Sequence, residues 1–298
     1  MKKNTALIYL ALVLSMVFWS FSYIWIKKVY VYLNPLTTVF LRLIISSIFL
    51  IVITLVMKKL QKPHRKDIPV ILFLSFFQPF MYFLGESYGI QLVSPTVAAI
   101  MISTIPLFVP FSMYFLAKEP LMSNNFLGIL ISFLGVLMVV LNQDLTLAAS
   151  PLGLMYMCIA VCSVMGYSVL LQRLLEKYNP YSLITYQNIV GIFYFLPLVL
   201  LIDYEDLTTI PYNTDLLLNL LALAVFASSM AYFLFMVGTK KVGVTKATLF
   251  TYLIPIFTAL LSYIIFQEKF TVLKIVGIFI TLAGLLLGKS PFQRKKLH

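Results

Sequence analysis

The chain has 298 residues, 61% of them hydrophobic and only 11% charged, with mean hydropathy +1.00. That composition excludes a soluble fold, whose surface needs far more polar groups. The net charge of +12, from 22 Lys and Arg against 10 Asp and Glu, reads as a signal of topology once the basic residues are placed, and not as a nucleic-acid footprint.

Ten apolar runs follow one another, over 6–27, 35–57, 68–90, 94–117, 124–142, 151–175, 180–203, 214–238, 243–266 and 270–288. Each approaches the roughly 20 residues that a helix needs to cross a bilayer. None alternates as a barrel strand does, so the expected class is an all-α membrane protein with ten transmembrane helices. Met1-Lys2-Lys3 mimics a signal peptide, but the first run is too long for one and carries Trp19 and Trp25, so it is read as a retained span. Cys158 and Cys162, four apart on the sixth run, share a helix face. They suit packing better than a disulfide or a metal site, and no metal or cofactor is expected.

Ten spans put both termini on one side. With the termini in the cytoplasm, seventeen of the 22 basic residues fall inside, and four, Lys27, Lys28, Lys269 and Lys274, fall outside. Arg42 lies within the second span. The expected location is the bacterial inner (plasma) membrane, with the basic 58–66 loop as a solvated, lipid-facing anchor.

The chain also repeats itself. Residues 89–137 and 238–286 align at an offset of 149 without a gap, with fourteen of 49 positions identical, including Pro106/Pro255, Glu119/Glu268, Gly128/Gly277 and Gly135/Gly284. Shared apolarity does not align prolines, acids and glycines in one register. Asn34-Pro35 matches Asn179-Pro180 before the second and seventh spans, and Met81 matches Met230. Five spans per copy is an odd number, so the second copy enters the membrane from the opposite side. The expected architecture is two inverted five-helix repeats, 1–145 and 146–298, around a central cavity, the arrangement of many secondary transporters.

Glu86 is the sharpest functional signal, because a bare carboxylate deep in an apolar run costs roughly 2.5 kcal/mol or more. Ser75, Gln78, Pro79 and Tyr82 extend its face into a polar stripe. Glu86 either binds a substrate ammonium, exchanges a coupling proton, or forms a structural pair. Arg42, in a stripe with Thr38 and Ser46, is its natural partner, or a fork for a substrate carboxylate; the two together suit a zwitterion. Further candidates for lining a cavity are Trp19 and Ser22 with Ser15, Tyr167, Asn188 with Thr185, Tyr232 with Ser228 and Ser229, and Thr248 and Tyr252 with Thr245. Each stripe equally suits interhelical hydrogen bonding. Pro106 and Pro255 are candidate hinges, since each removes a backbone donor within its helix. The glycine pairs allow close helix approach or a dimer seam, so the chain is expected as a monomer or homodimer. Gly85-Glu86-Ser87-Tyr88-Gly89 matches the nucleophile elbow G-x-S-x-G only literally, lacking the strand-turn-helix context and a His partner within the membrane. No enzyme is expected.

Ser94-Pro95-Thr96-Val97-Ala98…Pro106…Glu119…Gly128…Gly135 and Gly243-Val244-Thr245-Lys246-Ala247…Pro255…Glu268…Gly277…Gly284 resemble the EamA type of the drug/metabolite transporter superfamily. The resemblance covers essentially the whole chain and implies export of amino acids or other small metabolites through a cavity between the halves. Phe83-Leu84-Gly85-Glu86-Ser87-Tyr88-Gly89 departs from the apolar or small residues common at that place, so no member's substrate transfers directly. The partners expected are a small-molecule substrate, the lipid bilayer and coupling protons, and no nucleic acid. Rival readings are efflux of lipophilic cations, favoured by a carboxylate ringed with aromatics, and a non-transporting membrane scaffold or sensor.

Overall fold

A computed structural model describes residues 2–118, 123–140 and 149–287. Glu119 and the boundary at 145/146 lie outside these residues. The described chain is helical: α1 Lys2–Val29, α2 Pro35–Val56, α3 Arg65–Leu92, α4 Pro95–Leu116, α5 Ser123–Val140, α6 Pro151–Lys177, α7 Pro180–Ile202, α8 Thr214–Val242, α9 Val244–Phe266 and α10 Val272–Leu287. Eight are long and apolar enough to cross a membrane, while α5 and α10 carry the shorter apolar stretches Leu130–Val139 and Val272–Gly284. The molecule is an all-α membrane protein.

Local chemistry sets the ends. Asn34-Pro35, Ser94-Pro95, Ser150-Pro151 and Asn179-Pro180 each place proline in a first turn, where no N–H is missed. Three of these caps accept a backbone N–H: Ser94 from Val97, Ser150 from Gly153 and Asn179 from Ser182. At the start of α2, acids of the segment after α7 add to the cap. Asp206 accepts the Asn34 N–H at 2.9 Å, and Asp203 accepts the Thr37 N–H at 3.4 Å. Burial raises the Asp203 carboxyl above its ordinary range, with the Thr37 N–H pulling the other way. Lys118 and Gln267, 149 apart, both end their helices in the left-handed conformation.

Four helices are interrupted near their middles, in corresponding pairs. In α3, Phe76–Met81 widens to a π turn, and in α8 Leu223–Ala231 does the same. In α4 the helix breaks at Thr104, just before Pro106. In α9 a 3₁₀ turn, Leu249–Tyr252, precedes Pro255. Proline accounts for two of these, because its ring crowds the preceding turn and its nitrogen donates nothing.

The packing is inside out relative to a soluble protein. Large apolar side chains such as Phe115, Leu201 and Phe279 face outward, while Ser15, Ser46, Thr54, Ser75 and Asn188 are buried. Small residues bring helices together. A Cβ on Gly135 would stand 2.4 Å from the Thr281 nitrogen, and one on Gly284 the same distance from the Ser132 nitrogen. Ser132 Oγ donates to the Thr281 carbonyl at 3.1 Å. The two glycine pairs thus serve an internal contact between α5 and α10.

Candidate substrate cavity

The interrupted middles of these helices surround one cavity. Its walls include Trp19, Ser22 and Tyr23 of α1, Arg42 of α2, Gln78, Tyr82, Phe83 and Glu86 of α3, and Ile102 and Ile105 of α4. Across from them stand Val164, Tyr167, Ser168 and Leu171 of α6, Ala227, Tyr232 and Phe235 of α8, and Val244, Thr248, Thr251 and Ile254 of α9. The lining is built from counterparts. Gln78/Ala227, Phe83/Tyr232, Glu86/Phe235, Ile102/Thr251 and Ile105/Ile254 are each 149 apart, and Trp19/Val164, Ser22/Tyr167 and Tyr23/Ser168 are each 145 apart, the offset of Asn34/Asn179. Phe83 and Tyr232 touch edge to face across the space. Ile102 and Thr251 lie four residues before the two prolines, where the proline frees a carbonyl.

The space is narrow, about 50 Å³, which holds a few water molecules. Its walls are mainly aromatic. Trp19 meets Tyr232 edge to face at 4.9 Å and Phe235 at 5.2 Å, and its Nε1 donates to the Ala227 carbonyl at 3.3 Å. The Gln78 side-chain amide donates to the Tyr232 hydroxyl, and Gln187 Nε2 donates to the Gln78 carbonyl at 2.8 Å. These bonds satisfy backbone and side-chain groups released by the break at Gln78.

Two opposite charges enter this aromatic box, both from the first half of the chain. Glu86 is 6% exposed and Arg42 is 3% exposed. Tyr82 Oη donates to Glu86 Oε1 at 2.7 Å. The Arg42 guanidinium lies over the Phe83 ring, 3.7 Å from its centre, and its Nε has no hydrogen-bond partner. Among the described residues the ion pairs are Lys177–Asp67 and Lys274–Glu268; of the two alternatives the sequence left open for Arg42, the direct pair with Glu86 does not form. The guanidinium is held instead by the electron-rich face of Phe83, and the carboxylate by a phenol. Two charges that share a cavity without closing on each other leave both free to meet a ligand.

Of the eleven binding candidates read from the sequence, the cavity gathers nine: Glu86, Tyr82, Gln78, Arg42, Trp19, Ser22, Tyr167, Tyr232 and Thr248. Asn188 and Tyr252 lie elsewhere. Asn188 donates to Ser46 Oγ and to the Ser228 carbonyl, joining α2, α7 and α8. Tyr252 packs with Leu107, Phe108, Leu249 and Leu282 beside the broken part of α4. Ser75 also leaves the expected stripe, donating to the Ile71 carbonyl before the π turn shifts the register. Tyr23 and Ser168 line the cavity without having been singled out, and Thr251, expected only as a carbonyl freed by Pro255, lines it too. Their signal was present, since Tyr23 follows Ser22, Ser168 is the counterpart of Tyr23, and Thr251 precedes Pro255 by four.

The EamA-like transporter family profile matches this chain twice, over residues 6–141 and again over 151–288. The chain belongs to the EamA-like transporter family. It is thus a membrane transporter of the drug/metabolite superfamily and not an enzyme. A Bacillus subtilis protein described as uncharacterized transporter YetK is 26% identical over 253 residues, spanning 82% of this chain and 75% of that one. An uncharacterized transporter of Archaeoglobus fulgidus is 26% identical over 281 residues, spanning 94% and 96%. In Arabidopsis thaliana, the chloroplastic WAT1-related protein At3g02690 is 25% identical over 71% of this chain and 52% of its own. A solved crystal structure at 17% identity covers 93% of this chain and 94% of that chain with a TM-score of 0.71, and so shares the fold.

Proposed function

We propose that this EamA-family protein exports a small zwitterionic metabolite, an amino acid or close relative, by alternating access between two inverted five-helix repeats, 1–145 and 146–298. In this reading all ten helices cross the bacterial inner (plasma) membrane and both termini are cytoplasmic, as the distribution of basic residues supports. The observation that carries the substrate class is the separation of charges: Glu86 and Arg42 line one enclosed cavity and form no ion pair with each other. The Arg42 fork suits a carboxylate, and the Glu86 carboxylate suits an ammonium or a coupling proton. The surrounding rings suit an apolar side chain. Pro106 and Pro255 mark hinges, because the helix breaks beside each place wall residues in the cavity. No nucleotide-binding motif is seen in the sequence, so transport is secondary or facilitative.

The test is counterflow of a labelled amino-acid panel in proteoliposomes, with wild type beside Glu86→Gln. Saturable flux of one class, lost in the variant, is the expected outcome. Absence of flux for every amino acid would overturn the reading. A second reading, efflux of lipophilic cations, has its own support in the aromatic ring of Trp19, Tyr23, Tyr82, Phe83, Tyr167 and Tyr232 around Glu86. Arg42 in the same wall weighs against it, since it would repel a second cation.

A further inference from the structure

Glu268 holds more partners than any other acid described in this chain, and none of them lines the cavity. It follows the left-handed turn at Gln267 that ends α9. Its Oε1 accepts from Ser94 Oγ at 2.9 Å and from Lys274 Nζ at 2.7 Å, and its Oε2 accepts from Thr96 Oγ1 at 2.7 Å. Ser94 and Thr96 begin α4, and Lys274 lies in the first turn of α10. Lys27 of α1 stands in the same cleft and donates to the Gln91 carbonyl at 3.5 Å. The side chains of Glu268 and Lys274 are only 12% and 16% exposed. Charge-assisted bonds so sheltered are the strong kind.

The cavity stops short of this cluster. At its other end the walls reach Val244 and Thr248 at the start of α9. The counterparts of those two residues, Pro95 and Ala99 at the start of α4, are buried and outside the lining. One mouth is therefore closed just where Glu268 binds α4 to α9 and α10. By sequence the counterpart positions at the other mouth differ in part: Gly243 stands where Ser94 does and Asn125 where Lys274 does, while Thr245 repeats Thr96 and Glu119, outside the described residues, repeats Glu268.

We infer that Glu268, Ser94, Thr96 and Lys274 form a latch that holds the α4/α9 mouth at their end of the cavity shut. The inference rests on the alternating-access reading. It adds a specific determinant to it: the latch must open for substrate to leave by that mouth. A ligand that favours the other conformation shifts the population only by its differential affinity.

The experiment reads access from one side and needs no substrate. Cys158 and Cys162, exposed on the outside of α6, are replaced by Ala, and Ile105→Cys in the cavity wall becomes the reporter. A membrane-impermeant maleimide is added to sealed vesicles from the Glu268 face. The Ser94→Ala/Thr96→Val double variant removes both hydroxyl donors and spares the Lys274–Glu268 pair. It is expected to label about tenfold faster, the shift that follows the loss of about 1.4 kcal/mol, and Thr245→Val at the opposite mouth is expected not to speed labelling. An unchanged rate in the double variant, or an equal rise in both, overturns the latch. If the double variant is not recovered folded, Lys274→Met is used with the same two outcomes. Counterflow in the same vesicles separates the two ideas. Faster one-sided labelling without any flux leaves the latch standing and removes the transport reading, whereas flux with unaltered labelling does the reverse.

Discussion

Ser132 donates its hydroxyl to the carbonyl of Thr281, the residue 149 positions further on that occupies its own place in the second half. Phe83 and Tyr232, also 149 apart, make a second contact between counterparts, inside the cavity, with ring centres 6.1 Å apart. The α5–α10 contact and the cavity are thus both built from matching positions of the two EamA-like halves. The first prediction concerns that contact. Gly135→Leu would drive a side chain into the Thr281 backbone, where even a Cβ is too close. Overpacking of this kind costs about 1–3 kcal/mol. A lower midpoint of thermal unfolding in detergent is expected for Gly135→Leu, and a smaller drop for Gly135→Ala.

Arg42 separates the two readings of the substrate. Arg42→Met retains the stem against Phe83 and removes the fork. Flux of zwitterions is expected to fall by at least about tenfold, the usual order for a charged hydrogen bond, while binding of plain amines persists. If amino-acid flux survives Arg42→Met, the carboxylate is held elsewhere.

Tyr82→Phe removes the phenol that donates to Glu86 and leaves the carboxylate in place. A reduction in flux of about tenfold is expected, smaller than for Glu86→Gln. Measuring both variants in the same proteoliposomes orders them; equal losses would mean that Tyr82 touches substrate itself.

The prolines are tested through rates. Pro106→Ala or Pro255→Ala restores a backbone donor and straightens its helix. Turnover is expected to fall severalfold while the binding constant of a wall-contacting ligand changes little. Unaltered turnover in both variants would reduce the breaks to packing features.

Asp203 supplies a pH dependence outside the membrane. Its folded-state carboxyl is raised by burial, so the native state holds the proton more tightly than the unfolded chain. Its charged form is therefore a burden above the raised value, and stability rises as pH falls through that value toward the ordinary carboxylate range. Asp203→Asn keeps an oxygen for Thr37 and is expected to flatten the pH dependence of the unfolding midpoint just above the ordinary carboxylate range, where the wild type slopes.

Much of this was legible in the residues. Helix starts followed from Asn-Pro and Ser-Pro pairs, and the repeat from prolines and glycines in register. Glu86 stood out because charge inside an apolar run is costly. What escaped was set by tertiary contacts. Ser75 and Glu86 share a face only in an unbroken helix, and the π turn at Phe76–Met81 removes that continuity. Asn188 was chosen as a polar residue within a span, but its amide is spent on Ser46 and Ser228. Arg42 and Glu86 looked complementary in sequence, and no pattern of spacing announces that Phe83 takes the guanidinium instead.

Both charges in the cavity come from the first half, and the counterpart positions carry Gln187 and Phe235. On the proposed reading the two halves divide their labour: the first would read the polar head of the cargo, and the second would fit its bulk. Changes in the second half are then free to alter which side chain fits without loss of the charge pattern recognised. A lineage of such transporters could diversify its cargo by remodelling one half at a time, and chimaeras that exchange residues 151–287 should change size preference while keeping charge preference.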